Sequence, residues 1–156
     1  MDSVTRSQLI ERYRAGHREV VDALDGAGHA ELDRRPAPDC WTAREIVHHL
    51  ADSETTSYLR LRKLLAEDAP IIVAYDENLY ARRLRYDRPI ATSLAVFDLV
   101  RRSSAELLDT IDEADWQRSG NHSESGPYSM HTWLTVYAAH AHDHADQIRR
   151  ARRGER

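Results

Sequence analysis

The chain has 156 residues, 41% of them apolar and 31% charged, with a formal net charge of −4. That length suits one domain with a real core, so residues 1–156 are expected to form a single domain. No apolar run approaches a membrane span, Cys40 is the only cysteine and so excludes an internal disulfide or a cysteine-clustered zinc site, and the acidic balance argues against nucleic acid. The opening MDSVTRSQLIERYR has no apolar leader core and no cleavage pattern, so the expected location is the cytoplasm. The basic RRARRGER at positions 149–156 is read as complementing a helix dipole rather than as a DNA contact.

From Ser3 to about Asp25, Leu9, Ile10, Tyr13, His17, Val20, Val21 and Leu24 recur at helical spacing; Gly26 and Gly28 close this first helix. The polar, proline-containing GHAELDRRPAPDC is expected as a loop. A second helix opens at Trp41, with Thr42 and Glu45 in a capping-box pattern. Ile46, Val47, Leu50, Leu61, Leu64 and Leu65 supply its buried stripe, and it should stop before Asp68-Ala-Pro70. Residues 70–90 carry a proline near each edge and no clean period, so they read as a long connection with a short helical piece near Glu77–Arg83. Long irregular stretches inside compact domains are usually functional. A third helix is expected from Thr92 or Ser93 to around Asp112–Trp116, on Leu94, Phe97, Val100, Leu107, Leu108 and Ile111. QRSGNHSESGPYS then reads as a polar loop. The fourth helix runs from about Met130 to Arg152, with Met130, Trp133, Leu134, Tyr137, Ala141, Ala145 and Ile148 inward. Together these predict an all-α four-helix bundle with a long connection between the second and third helices. About twenty residues can carry the chain back along the bundle, which admits an up-down-down-up order.

The fourth helix contains His140-Ala-His-Asp-His144. At about 100° per residue, His140 and His144 lie about 40° apart while His142 is nearly opposite, so the motif is a two-ligand clamp and not a trio. A catalytic metal needs a third protein ligand and an open position. His48-His49 on the second helix is the obvious source, and His49 is the choice because it follows Ile46 by three residues and shares its face. Ser53 and Thr56 continue that side with small polar groups, leaving room for an ion, and His48 is expected at a boundary or in solvent. Asp52 and Glu45 stand within one turn of His49 and are candidates to accept its second N–H. Tyr75, Asp76 and Glu77 lie in the connection that can fold over the open position, where Tyr75 is a candidate to hydrogen-bond a bound group. Arg60, about three turns beyond His49, is a candidate substrate anchor or an ordinary surface partner. His122 is read as a loop histidine with a conceivable proton-shuttle role; His17, His29 and His131 are read as ordinary.

Trp41-Thr-Ala-Arg-Glu-Ile-Val-His-His-Leu-Ala-Asp-Ser-Glu54 resembles the start of the second helix in the DinB/YfiT-like superfamily, where a metal-binding histidine follows a tryptophan by eight residues; here that is His49. Tyr137-Ala-Ala-His140-Ala-His-Asp-His144-Ala-Asp-Gln147-Ile148 is similar to the family's second signature, H-x3-H followed by glutamine or histidine and an aliphatic residue. Tyr58-Leu-Arg60, Tyr75-Asp-Glu77 and Asn121-His-Ser-Glu124-Ser-Gly126 also resemble one branch of it, although that branch has His-Pro-Glu where this chain has His122-Ser-Glu124. The resemblance implies a three-histidine divalent site (His49, His140, His144) at one end of the bundle, with zinc or nickel foremost and manganese or iron as further options. It implies either a thiol S-transferase of the bacillithiol or mycothiol type, serving detoxification, or a metal-dependent hydrolase. It also implies a small thiol and an electrophilic small molecule as partners, and a homodimer in some members.

Three neutral imidazoles leave a dication with its full charge. Such an ion can acidify water, giving a hydrolase, or a thiol, giving a sulfur nucleophile. Two rivals stand beside the enzyme. One is a binding module whose metal is structural and closed off; the other is a bundle whose histidines bind no metal.

Overall fold

A computed structural model describes residues 1–156. Asp2 accepts the Thr5 N–H and starts α1 (Ser3–Leu24), which ends where Gly26 takes φ +66°. A one-turn helix, α2 (His29–Leu32), interrupts the segment expected as loop. The Thr42–Glu45 capping box is formed at both bonds, 2.8 and 3.1 Å, and opens α3 (Ala43–Ala66). The long connection carries β1 (Ile71–Ile72) and α4 (Glu77–Arg83), the latter at the residues expected. Then follow α5 (Ala91–Leu108), α6 (Glu113–Trp116), β2 (Ser119–His122), β3 (Gly126–Ser129) and α7 (Met130–Arg153).

Two features differ from expectation. The third long helix stops at Leu108, and Asp112 caps a separate turn, α6, by accepting the Asp115 N–H. Leu107 and Ile111 still pack on one core cluster across the break, so the apolar period conceals it. The expected polar loop is a hairpin: β2 pairs antiparallel with β3 and parallel with β1. Its residues lack β-branched side chains; backbone pairing and the burial of Tyr128 hold it instead.

The core has two layers. In one, Tyr13 of α1 and Met130, Trp133 and Leu134 of α7 meet Leu61 and Leu64 of α3 and Leu108 of α5. In the other, Val20 and Ala23 of α1 and Ala145 and Ile148 of α7 meet Ala43, Ile46 and Val47 of α3 and Phe97 of α5. The early part of α1 therefore shares a layer with the early part of α7 and the late parts of α3 and α5. The order is up-down-down-up in a four-helix bundle, and residues 67–90 return the chain along its length. Between the layers lies a buried ion pair. Arg101 bonds Glu54 at 2.6 Å, the Tyr13 carbonyl at 2.6 Å and the Tyr137 carbonyl at 2.8 Å, while the Tyr13 hydroxyl donates to the other Glu54 oxygen. Gly16 permits this crossing: a Cβ there would meet Ala141 Cβ at 2.6 Å and Arg101 Nη2 at 2.7 Å.

Candidate metal centre

His49 sits one turn beyond Ile46 on the inner face of α3, and His140 and His144 occupy successive turns of the adjacent α7. The bundle brings all three together. His140 Nε2 lies 3.4 Å from His49 Nε2 and 3.2 Å from His144 Nε2, and one nitrogen can be chosen from each ring so that no two are more than 4.8 Å apart. An ion holding imidazole nitrogens at about 2.0–2.1 Å in tetrahedral geometry separates them by about 3.3 Å. Two of the three edges thus have the spacing such an ion requires.

The protonation chemistry fits the same ion. Burial, reinforced by the neighbouring His144, pushes the His49 imidazole down to about 3. Burial pushes His140 well below the usual histidine range, with His144, His49 and Arg101 acting the same way. Burial also lowers His144, against opposing pulls from Gln147 and Asp143. All three rings are therefore held neutral, the form that ligates metal. His144 Nδ1–H donates to Gln147 Oε1 at 2.7 Å, which leaves its Nε2 lone pair facing the other rings. Nδ1 of His49 and of His140 are buried without partners. Glu77 is the carboxylate nearest to His49, at 3.9 Å from Nδ1, beyond hydrogen-bond reach. Trp41 packs its ring against His49, centroids 4.7 Å apart, and so fixes the imidazole plane.

A cleft of about 250 Å³ opens beside His49 and His140, between Ser53, Arg60, Tyr75, Glu77, His122, Glu124 and Tyr137. Tyr75 lies in this cleft, its phenol pushed up to about 12 by burial and so neutral. Arg60 also faces the cleft, but two of its nitrogens are engaged at 3.0 Å, one to the Tyr137 hydroxyl and one to the Val73 carbonyl. It has no carboxylate partner in the chain. On the other side of Glu77, a second cavity borders His144, Gln147, Trp41 and Cys40.

Four expectations need correction. Asp52 does not face the histidines; it accepts the Tyr86 hydroxyl at 2.5 Å, on the side of α3 that holds the returning connection. Glu45 is occupied by the capping box and by Arg35 at 2.6 Å, so neither carboxylate backs His49. His48 is fully buried, with Nε2–H donating to the Arg88 carbonyl at 3.0 Å and Nδ1 accepting from Ser93 at 2.7 Å. The polar groups of the returning connection complete that buried surface, and no period in α3 alone reveals them. His122 belongs to β2, packs against Tyr128 and borders the cleft. Gln147, by contrast, stood within the fourth-helix signature, and its i+3 spacing from His144 was a readable signal for the contact. His142 points away as expected, to the Arg12 carbonyl of α1 at 2.9 Å.

A sequence model of the DinB superfamily matches residues 12–148 of the chain. A protein of Oceanobacillus iheyensis, provisionally named a metal-dependent hydrolase, is 34% identical over 118 residues, which cover 76% of this chain and 69% of that protein. One from Bacillus mycoides with the same provisional name is 30% identical over 130 residues, 83% of this chain and 75% of that one. The solved structure of YfiT from Bacillus subtilis, described in the same provisional terms and as an unusual four-helix bundle, superposes with a TM-score of 0.91 at 25% identity, covering 98% of this chain and 89% of that one.

Proposed function

The chain belongs to the DinB superfamily, and on that premise we propose that it is a metal-dependent enzyme in which His49, His140 and His144 hold one divalent ion, zinc or nickel, and which transfers a low-molecular-weight thiol to a small electrophile. The observation that carries this is the convergence of three neutral imidazoles at the head of an open cleft. An ion held there by three uncharged ligands would keep its full charge and would acidify a group bound at its free position. A thiol, with an ordinary value near 8.5, needs only a modest push to ionise at neutral pH, whereas water starts near 15.7. The sulfur forms a bond to the electrophilic carbon, the leaving group departs with its electron pair, and the thiol proton passes to solvent. Around that event the chain's own groups orient substrate. Arg60 presents a guanidinium with no acidic partner, suited to a substrate carboxylate, and the neutral Tyr75 hydroxyl is a donor in the same cleft.

Hydrolysis is the second reading. It is favoured by the names of the relatives and by Glu77 and Glu124, two carboxylates beside the cleft able to take a proton from water. The test is one protein preparation, loaded with zinc or nickel, given a bromomethyl electrophile with and without a cysteinyl-sugar thiol, and separately an ester series. Thioether formation that requires both metal and thiol, and disappears in His49→Ala, supports transfer. Ester cleavage without thiol, lost in the same variant, supports hydrolysis instead.

A further inference from the structure

The chain has twenty-one arginines, and seventeen of them bond or bridge to some group of the protein. Of the four that do not, three stand together: Arg82 and Arg83 at the end of α4, and Arg85 just after it. All three are exposed and line one cavity of about 590 Å³. Asp87 shares that cavity and bridges none of them; Glu45 shares it but is committed to its helix cap and Arg35. Four arginines against one aspartate give residues 82–88 a charge of +3 in a chain whose total is −4. Arg85 is also one of only two non-glycine residues with positive φ, +56°, which sets it off the helix axis.

A row of neighbouring cavities that share lining residues runs from the arginine cavity to the histidine cleft. Glu77 borders both that cleft and the cavity of His144; Trp41 and Asn78 join the latter to a third cavity, and Glu45 and Arg82 join the third to the arginines. Arg82 and Arg83 lie five and six residues along α4 from Glu77, so roughly 8–9 Å from it at about 1.5 Å per residue, and Arg85 follows just past the helix end.

We propose that this groove binds an elongated small-molecule substrate whose reacting end lies at the three histidines and whose far end carries a phosphoryl group, held by Arg82, Arg83 and Arg85. The substrate assignment rests on the three-histidine reading, while the anion subsite itself does not. Guanidinium forks match phosphoryl oxygens in charge and plane, and three uncompensated forks in one concave surface suit a multiply charged anion.

Inorganic pyrophosphate is titrated calorimetrically into metal-stripped wild type and into Arg82→Gln/Arg83→Gln/Arg85→Gln, whose exposed positions keep the fold testable by an unchanged melting temperature. Saturable one-to-one binding is expected, at least about tenfold weaker in the triple variant and weakened by salt. No saturable binding, or equal affinity in the triple variant, overturns the subsite. A short single-stranded oligonucleotide that binds far more tightly than pyrophosphate through the same arginines overturns the small-molecule assignment. Metal content is measured on the same samples before stripping. Pyrophosphate binding in a chain that never carries metal upholds the subsite and removes the three-histidine reading. Metal binding without pyrophosphate binding does the reverse.

Discussion

His144 shows how one side chain can be tested for two jobs. Its Nε2 faces His140 and its Nδ1–H donates to Gln147. His144→Ala is expected to abolish metal uptake, measured as metal per chain by elemental mass spectrometry; retained metal would refute the site. Gln147→Ala keeps all three histidines but frees the His144 ring, and should weaken metal affinity by about 10- to 100-fold in a chelator competition. Acid should act on the same residues through stability. His49 is protonated in the unfolded chain near 6.5 and in the fold only near 3. Between those values the unfolded state binds the extra proton, so stability falls as pH drops through that window and is fully present above it. Each unit inside the window removes about 1.4 kcal/mol per such histidine, with His140 and His144 adding in the same direction. Urea unfolding of metal-free protein from pH 7 to 4 should show this loss, and His49→Gln should make it shallower; a wild-type profile level across that range would contradict the burial argument. The meeting of the three histidines was legible because helical geometry pairs His140 with His144, while His49 shares the face of Ile46 and follows Trp41 by eight residues. His48 and Asp52 were not, since the groups that engage them, Arg88, Ser93 and Tyr86, arrive from a distant segment.

At the level of elements, the four long helices were legible because each carries its own period, although the period of α5 runs on past its true end at Leu108. The Thr42–Glu45 box and the Asp76 cap of α4 act within three residues and need no tertiary partner. The β1–β2–β3 sheet was not legible, because the hairpin lacks β-branched residues and Ile71 pairs with Asn121 across a distance in sequence that no local pattern records. The returning connection is fastened at both ends. Arg60 and the sheet hold it near Val73, while His48, Arg44 and Asp52 hold it at Tyr86–Arg88. Between these anchors α4 contributes no buried residue. His48→Ala removes one anchor and leaves the Ser93 hydroxyl buried without its acceptor. It should cost about 2–4 kcal/mol by urea unfolding, from the cavity plus the unpaired group. Limited proteolysis should then cut first between residues 77 and 88; cleavage elsewhere would place the weak point outside this connection.

In the up-down-down-up order of this molecule, α7 lies beside both α1 and α3. The same order brings Arg101 of α5 to the point where all three other helices cross. Arg101 and Glu54 are almost fully buried, so each charge exists only because the other compensates it. Burial raises the Glu54 carboxyl and Arg101 opposes that shift. Breaking the pair from one side should therefore be much worse than replacing both members. Glu54→Gln leaves a buried guanidinium without a counter-charge and should cost about 3–5 kcal/mol. Glu54→Leu with Arg101→Met removes both charges and should cost clearly less than either single change, despite leaving the Tyr13 hydroxyl unpaired. A urea-unfolding double-mutant cycle reads this directly, and additive losses would show that the pair is not coupled. The same variants report on the site. Arg101 grips the Tyr137 carbonyl, one turn before His140, so loosening that grip displaces α7 against α3 where the histidines meet. If the ion pair sets the spacing of the histidines, Arg101→Met lowers metal affinity even where the protein remains folded. If packing of the two core layers sets it alone, the affinity is unchanged and only stability moves.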